Sequence, residues 1–339
     1  MSAPTLTDPA TDTDDRVAID VEDLTVDLRT PTGTVRAVDH VSFRARRGET
    51  LALLGESGCG KSMTAQALVG LLAPIASVTD GTITIDDIDL VSASDAVRRR
   101  MAGTELAIVF QDALTALNPV YTVGTQLAEP FRIHRKMSKK QARHEAIELM
   151  RHVGIPEPET RIDSYPHQFS GGMRQRLLIA MAVALSPKVL LADEPTTALD
   201  VTVQAQIMAL LQRLREEHDM AVILITHDLA LVAEQADRVA IMYAGNVVET
   251  GPVNEVFGNP RHPYTKGLLD SVPVSAERGA DLKSIGGTPP DLHSIPVGCV
   301  YQARCPLARG RCIDERPTLT RIDDKRAAAC HFSEETPNA

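Results

Sequence analysis

Tryptophan is absent from this 339-residue chain, and aromatic residues make up only 3% of it. Side chains that could stack the bases of a single-stranded nucleic acid are therefore scarce. The charge balance points the same way, because 35 Lys and Arg residues stand against 45 Asp and Glu residues, for a net charge of -10. Such a chain is poorly suited to neutralise phosphates of DNA or RNA, so we expect no nucleic-acid partner.

Long hydrophobic runs are also missing. The most apolar stretch, Leu177 to Leu185, has nine residues, whereas a membrane-spanning helix needs about 20. The first fifteen residues (MSAPTLTDPATDTDD) are acidic and Pro/Thr-rich, and they lack the basic start and apolar run of a secretory signal. We expect a cytoplasmic protein with a disordered tail at residues 1–15.

What the chain does contain is the pattern of an α/β fold. Alternating apolar residues at 18–28 and 35–46, with Pro31 and Gly33 between them, predict two antiparallel strands. Short apolar runs separated by helical patterns then predict a parallel sheet covered on both faces. These runs are Leu51 to Leu54, Val189 to Ala192, Val222 to Thr226 and Val239 to Met242.

The domain organisation follows from the remaining patterns. We expect one nucleotide-binding domain at 16–250, with a helix at Lys61 to Leu72. A helical subdomain is expected within it at about 115–187. Its pattern is helical from Val123 to His152, and a Pro-rich break follows at 155–166. Ala244-Gly245-Asn246 is expected to link two short strands. Periodicity fades from Gly251, where a C-terminal extension, 251–339, begins.

The clearest motif lies between the first predicted parallel strand and its helix. Residues 55–62, GESGCGKS, match G-x-x-x-x-G-K-[ST] in the strand–loop–helix context that this motif requires. Backbone N–H groups would surround phosphates, Lys61 would reach the terminal phosphates, and Ser62 would ligate Mg²⁺. The alternative, a glycine turn that happens to precede a lysine, leaves the Ser and the flanking strand unexplained. The predicted nucleotide-binding residues here are Gly55, Glu56, Ser57, Gly58, Cys59, Gly60, Lys61 and Ser62.

Two carboxylates follow another buried strand. Asp193 and Glu194 come directly after Val189 to Ala192, at the carboxyl end where open α/β sheets place ligands. Asp193 can hold Mg²⁺ through water, and Glu194 can accept the proton of the attacking water. Such a pair is commonly just a solvated strand end, but in a chain with a phosphate loop the catalytic interpretation is favoured.

Polar residues also follow two further strands. His227 follows the strand at 221–226 and is expected within reach of a γ-phosphate, although a single His at a strand end is usually structural. Gln111 follows the run at 107–110 and is equally ambiguous in isolation.

A second possible anion site is the start of an apolar helix. Ser170 stands at its predicted N-cap, where free N–H groups and the helix dipole favour a negative charge. An ordinary capped helix is the simpler interpretation of this segment alone. Two such helix starts in one chain nevertheless suggest a dimer that sandwiches each nucleotide.

Taken in order, these segments resemble the nucleotide-binding subunit of ATP-binding cassette transporters. The matching segments are GESGCGKS, Phe110-Gln111-Asp112, FSGGMRQR, VLLADEPTTALD and ITHD, within residues 17 to about 250. The resemblance implies a RecA-like core, an antiparallel β subdomain and a helical subdomain. By this resemblance, Gln111 is the Q-loop residue that contacts Mg²⁺ and His227 is the switch histidine. Asp200 is a D-loop residue. The signature segment, which would act on the nucleotide of the partner chain, consists of Ser170, Gly171, Gly172 and Met173.

One position departs from the family pattern. Many of these proteins stack adenine on an aromatic residue just before the second strand, where this chain has Thr34-Val35-Arg36. Val35 can offer only apolar contact, which affects base selectivity but not the phosphate chemistry.

Beyond Gly251 the chain resembles the ATPases of oligopeptide and dipeptide importers. NPVYTVGTQLAEP, YPHQFSGGMRQR and PRHPYTKGLL carry this likeness, as does the cysteine-bearing tail. It implies a peripheral ATPase at the cytoplasmic membrane face, a second and different ATPase subunit, two permease subunits and an extracytoplasmic solute-binding protein. Nickel and some sugar importers share the architecture. A soluble ATPase of nucleic-acid metabolism is the rival from another class, but its usual second cassette, coiled coil or C-x-x-C pairs are missing from this sequence.

Four of the five cysteines, Cys299, Cys305, Cys312 and Cys330, fall in the last 41 residues. In a reducing cytosol they imply no disulfides, and four thiolates suit either an iron–sulfur cluster or tetrahedral zinc. Zinc ligands usually pair as C-x₂₋₄-C, whereas five, six and seventeen residues separate these cysteines. Pro306 after Cys305 resembles the Cys-Pro of bacterial ferredoxins. We therefore expect a structural [4Fe–4S] cluster, with zinc as the alternative and four unconnected thiols as the simplest interpretation.

Overall fold

The computed structural model describes residues 16–112, 116–197, 199–271 and 284–336, so the tail predicted at 1–15 lies outside the described residues. Strands and helices alternate through most of the chain. The strands are β1 (Val17–Thr30), β2 (Gly33–Arg46), β3 (Thr50–Leu54), β4 (Ala76–Ile85), β5 (Ile88–Asp89), β6 (Leu106–Val109), β7 (Val189–Asp193), β8 (Ala221–Thr226), β9 (Arg238–Tyr243), β10 (Asn246–Pro252), β11 (Thr320–Arg321) and β12 (Ala327–Ala328).

The α-helices in the described residues vary from one turn to five. They are α1 (Lys61–Leu68), α2 (Asp95–Met101), α3 (Val123–His134), α4 (Lys139–His152), α5 (Pro158–Arg161), α6 (Gly171–Val183), α7 (Val201–His218), α8 (Leu229–Gln235), α9 (Val253–Gly258), α10 (Pro263–Asp270) and α11 (Gly310–Asp314).

The main sheet has the strand order β11-β12-β10-β9-β3-β8-β7-β6. Its centre is parallel from β9 to β6, and every residue of β3, β7 and β8 is buried. This burial on both faces explains why these strands read as continuous apolar runs. The predicted α/β fold is confirmed, and β3, β7 and β8 end at the same edge of the sheet.

A second sheet, with the order β2-β1-β4-β5, is antiparallel. It contains the predicted hairpin, whose two strands pair from Val17 with Arg46 to Thr30 with Gly33. Both strands are longer than their alternation indicated. The two-residue turn between them is Pro31-Thr32, as the proline suggested.

One helical prediction was wrong in extent. Helix α1 ends at Leu68 and not at Leu72, because Gly70 turns the chain with a φ of 69°. The helical stretch expected from Val123 to His152 is made of two helices, α3 and α4. They separate where Lys136 takes a positive φ and Ser138 starts α4 with a capping box to Gln141.

The C-terminal extension packs against the main sheet. Strand β12 pairs antiparallel with β10, and Tyr264 and Tyr301 share a buried cluster with Ala52 and Leu54 of β3 and its neighbours. The extension therefore lies directly behind the strand that leads into the phosphate loop. Within the described ranges, no helix is both long and apolar enough to span a bilayer.

Candidate functional site

The phosphate loop connects the buried strand β3 to helix α1. Its lysine, Lys61, is only 6% exposed, and its Nζ donates hydrogen bonds to the carbonyl oxygens of Gly55 and Glu56 at 2.7 and 2.9 Å. The ammonium group thus lies inside the curve of the loop, where the terminal phosphates of a nucleotide would take over its donors. Ser57 is exposed and Cys59 is buried.

Glycine is required at two points of this loop. A Cβ on Gly55 would lie 2.3 Å from the carbonyl oxygen of Met242 in β9. Gly60 has a φ of 107°, and a Cβ there would lie 2.7 Å from the carbonyl oxygen of Ala37. The loop can pass between β2 and β9 only without side chains at these positions, which sets its curvature.

Ser62 and Asp193 come together at the predicted Mg²⁺ position. The Ser62 hydroxyl donates to Asp193 Oδ1 across 3.4 Å, a long hydrogen bond between two oxygen ligands of the kind that Mg²⁺ prefers. Asp193 is 8% exposed, and its burial raises the pKa of the carboxyl group although the Ser62 bond opposes this. A cation would stabilise the ionised form of this carboxylate.

Glu194 is held by three side chains from different elements. Gln111 Nε2 donates to Glu194 Oε2 at 2.7 Å, Thr197 Oγ1 donates to the same oxygen at 2.8 Å, and His227 Nδ1 lies 3.0 Å from Oε1. Burial would raise the pKa of Glu194, but the His227 and Thr197 bonds keep it below its ordinary value. Thr197 was missed by the sequence analysis, although it lies three residues after Glu194.

The signature segment begins helix α6 as expected. Ser170 is its N-cap and accepts a hydrogen bond from the Met173 N–H at 3.3 Å. A Cβ on Gly171 would meet only Leu199 at 3.7 Å, whereas one on Gly172 would lie 2.6 Å from the Val203 side chain. Gly172 is thus needed for packing inside this chain, while Gly171 faces open space.

Two other predicted residues take clear positions. Asp200 is the N-cap of α7, where its carboxylate accepts from the Val203 N–H at 2.9 Å. Val35 is 4% exposed, so it offers almost no surface to a nucleotide base. The neighbours Thr34 and Arg36 are exposed instead.

The sequence analysis also missed a link between the extension and the phosphate loop. Arg304 donates from Nη1 and Nη2 to the two carboxylate oxygens of Glu56 at 2.7 and 3.0 Å. The Glu56 N–H donates to the Tyr264 hydroxyl at 2.9 Å. The two residues of the Arg304–Glu56 contact are 248 positions apart in the sequence, and those of the Glu56–Tyr264 contact are 208 positions apart. A local sequence pattern therefore could not predict either contact.

The four cysteines of the extension line one cavity. Leu307, Pro317 and Phe332 add apolar walls, and His262 and Tyr301 also border it. The backbone links two of the cysteines directly, since the Cys299 N–H donates to the Cys312 carbonyl oxygen at 2.7 Å. The structure therefore brings together all four residues that the sequence analysis grouped.

Burial raises the pKa of three of these thiols. It brings Cys305 and Cys330 to about 11, and the pKa of Cys299 is also raised. The thiols repel one another as thiolates, which adds to the shift. A metal centre would reverse this by binding the ionised form.

The spacing of the sulfur atoms bears on the choice of metal. Among the described residues, the set of three or more ligand atoms within 4.8 Å of one another is His152, Glu217 and His218, and no three of the cysteine sulfurs meet this limit. A tetrahedral zinc site with bonds of about 2.3 Å would place its sulfurs about 3.8 Å apart. In any three of the cysteines, at least two sulfurs are therefore farther apart than a zinc tetrahedron allows.

Comparisons with known proteins agree with this geometry. The ABC transporter family matches residues 38–197, and the family described as oligopeptide/dipeptide transporter, C-terminal region, matches residues 248–312. The chain belongs to the ATP-binding proteins of the ABC transporter family.

Within that family, the similar proteins include peptide transport subunits. The dipeptide transport ATP-binding protein DppD of Bacillus subtilis is 51% identical, over 94% of this chain and 95% of its own length. The oligopeptide transport ATP-binding protein OppD of the same organism is 47% identical, over 90% of this chain and 86% of its own.

A solved structure extends the likeness to an assembled cassette. It is a dimeric ATP-binding cassette in a post-hydrolysis state with ADP and phosphate, which aligns with a TM-score of 0.62 at 27% identity. The match covers 69% of this chain and 98% of the other.

Proposed function

We propose that this chain binds and hydrolyses ATP as one of two cassettes that close on each other, and that this drives import of dipeptides or oligopeptides through a membrane permease. The observation that carries the hydrolytic part is the position of Glu194. Its carboxylate lies at the sheet edge where the phosphate loop begins, fixed by hydrogen bonds from Gln111 and Thr197 and by its contact with His227.

In this reaction Glu194 accepts a proton from the water that attacks the γ-phosphorus, while the bond to the bridging oxygen of ADP breaks. The pKa of Glu194 lies below its ordinary value, so the carboxylate is ionised at neutral pH and free of the proton that it has to accept. His227 and Gln111 orient the carboxylate. Lys61 neutralises negative charge on the γ-phosphate that leaves and on the β-phosphate that stays in ADP. ADP and phosphate are the products.

Mg²⁺ fits the pair formed by Ser62 and Asp193. Both oxygens are hard ligands, and the raised pKa of Asp193 reflects a buried carboxylate that gains from a neighbouring cation. Gln111 would complete the protein ligands when the nucleotide binds. The ion would neutralise charge on the phosphates.

The second cassette is proposed to supply the signature to each nucleotide. Ser170, Gly171 and Met173 lie at an exposed or half-buried helix start with Gly171 open to solvent, which leaves room for phosphate from a partner chain. The dimer in the similar solved structure supports this arrangement. A different ATPase subunit as the partner, two permease subunits, an extracytoplasmic solute-binding protein and a peripheral position at the cytoplasmic membrane face belong to the same proposal.

The peptide cargo rests on the similar proteins. Both the C-terminal family match and the relatives at 51% and 47% identity carry dipeptide or oligopeptide in their names. Nickel or another small solute is the alternative cargo.

We further propose that the cysteine cavity holds a structural [4Fe–4S] cluster bound by Cys299, Cys305, Cys312 and Cys330. Support comes from four thiols around one cavity and from their sulfur atoms, no three of which lie within 4.8 Å of one another, against about 3.8 Å in a zinc tetrahedron. Such a cluster would cross-link the segments of the extension that carry the four cysteines.

A transport experiment tests the central proposal. The chain is co-expressed with permease subunits of a peptide importer from the same organism, reconstituted with the matching solute-binding protein in vesicles, and supplied with labelled dipeptides, oligopeptides or Ni²⁺. ATP-dependent peptide uptake that Glu194→Gln abolishes is expected. Uptake of Ni²⁺ without peptide would contradict the cargo, and ATP hydrolysis that never responds to permease would contradict the transport role.

A further inference from the structure

The phosphate loop is held from behind by the C-terminal extension. Two groups of Glu56, its side-chain carboxylate and its backbone N–H, bond to Arg304 and Tyr264 respectively. Both partners come from the C-terminal extension, after strand β10. The second residue of the loop is therefore fixed by a segment that takes no part in the phosphate chemistry.

Arg304 is itself rigidly placed. Its side chain is 4% exposed, and the Glu56 carboxylate is 27% exposed. Its Nε donates to the Gly286 carbonyl oxygen at 2.9 Å, and Nη1 also reaches the Tyr243 hydroxyl at 3.3 Å. The guanidinium lies 5.7 Å from the centre of the Tyr243 ring. A bidentate pair this buried has a defined geometry, unlike most ion pairs on a protein surface.

The charge of Glu56 explains why such a partner matters. The loop surrounds phosphates, and a carboxylate in it repels them unless a cation neutralises it. The bond to Tyr264 also directs the Glu56 N–H toward the extension. Glu56 thus faces Arg304 and Tyr264 with both groups, which leaves the later N–H groups of the loop to meet the nucleotide.

The same segment carries the cysteines. Arg304 directly precedes Cys305, and Tyr301 packs in the ring cluster with Tyr243 and Tyr264 while also lining the cysteine cavity. A change in how the cysteines are held would therefore move Arg304 relative to Glu56.

We propose that Arg304 is a positioning residue for nucleotide binding, which neutralises and fixes Glu56 so that the loop accepts ATP, and which couples the cysteine cavity to the ATP site. The inference rests on the proposed ATP-binding function. By linkage, any ligand of the cysteines that orders this segment strengthens ATP binding, and ATP strengthens the hold on that ligand.

The test compares ATP affinities of the full-length protein by equilibrium titration, with the cysteine ligand retained by anaerobic purification. Arg304→Ala is expected to weaken ATP binding about tenfold or more. Arg304→Lys keeps the positive charge but not the bidentate guanidinium, so it is expected to weaken ATP binding less. Arg311→Ala is the matched control, because Arg311 makes a bidentate pair with Glu315 in the same extension but both side chains are exposed. It is expected to bind ATP within about twofold of the wild type.

Adding Glu56→Gln to Arg304→Ala separates this role from a general loss of packing. If Arg304 acts by neutralising Glu56, the double variant recovers most of the affinity, whereas a packing defect would persist or worsen. In steady state KM for ATP rises in Arg304→Ala while kcat is largely kept, since Lys61 and Glu194 are intact. Should Arg304→Ala not fold, Arg304→Gln, which removes the charge but keeps a long polar side chain, is compared with and without Glu56→Gln in the same way.

The coupling to the cysteines is tested by Cys305→Ser in both backgrounds. Weaker ATP binding is expected when Arg304 is present, and no further loss when it is Ala. Equal losses in the two backgrounds would overturn the coupling. Arg304→Ala that binds ATP like Arg311→Ala would overturn the whole proposal, whereas a wild-type chain that does not bind ATP would contradict the proposed function instead.

Discussion

His227 Nδ1 lies 3.0 Å from Glu194 Oε1, although the two residues directly follow different strands, β8 and β7. The adjacency of these parallel strands places both side chains at one edge of the sheet. The contact fixes one carboxylate oxygen, and Gln111 and Thr197 fix the other. Glu194 is therefore preorganised before any nucleotide binds.

We expect Glu194→Gln to bind MgATP nearly as well as the wild type and to hydrolyse it roughly 10²–10⁴-fold more slowly. The amide keeps the shape and can still hydrogen-bond, but it cannot accept the proton of the attacking water. Single-turnover ATPase assays and nucleotide titrations separate the two effects. Glu234→Gln, an exposed glutamate on α8, is the control. Wild-type turnover by Glu194→Gln in the assembled complex would remove Glu194 from the role of base.

Lys61→Ala is expected to weaken nucleotide binding by about 10- to 100-fold, because a buried ammonium that reaches the phosphates is lost. Its present bonds to Gly55 and Glu56 show that the ammonium already lies inside the loop. Equilibrium titration with ATP measures the change, and Lys140→Ala on the exposed face of α4 is the control. Unchanged affinity with impaired turnover alone would contradict a binding role.

Gly171 offers a test of the composite site. Since a Cβ there meets only Leu199 at an ordinary distance, Gly171→Asp is expected to leave the chain folded while placing a negative charge where a partner's phosphate would bind. Gly171→Ala is the matched control for size. ATP hydrolysis should fall in the aspartate variant much more than in the alanine variant.

The defect should act in trans. A mixture of Gly171→Asp and Lys61→Ala chains forms mixed dimers with one intact site, so its ATPase activity should exceed the sum of the two separate variants. The experiment applies to dimers of this chain, whose formation is followed by sedimentation. Mixed dimers without any gain would argue against a nucleotide shared between two chains.

Local patterns predicted much of the site because its residues follow strands of one parallel sheet. Asp193 and His227 each come after an apolar run, Ser62 starts the helix that follows the phosphate loop, and the carboxyl ends of neighbouring parallel strands must meet. The phosphate loop was recognisable for the same reason, since its strand and helix flank it directly. Glu194, Gln111 and His227 accordingly come together as expected.

The features that escaped prediction depend on long-range contacts or on local signals that were overlooked. Nothing near Arg304 in the sequence indicates a partner 248 residues earlier, and a two-residue strand such as β12 has no detectable alternation. The division between α3 and α4 did have a signal, the Ser138-x-x-Gln141 capping box.

The cysteine cavity leads to a prediction about metal content. Protein purified without oxygen is expected to be brown and to contain about four iron atoms and matching sulfide per chain, because a four-thiolate cubane cluster requires them.

Cys305→Ser and Cys330→Ser should lose most of the iron, since each removes one corner of the site. Cys59→Ser is the matched control, because Cys59 lies in the phosphate loop and does not line the cavity, so its iron content should stay at the wild-type level. Exposure to air should bleach the protein and lower its thermal stability, because the extension loses a cross-link between the segments that carry the four cysteines. Colourless protein with one zinc per chain would keep the four ligands but contradict the cluster. In that case the sulfur atoms would have to move together until they are about 3.8 Å apart, the spacing that tetrahedral zinc imposes. Protein that binds neither metal, with all four thiols reactive, would show that the cavity is only a packing feature of the extension.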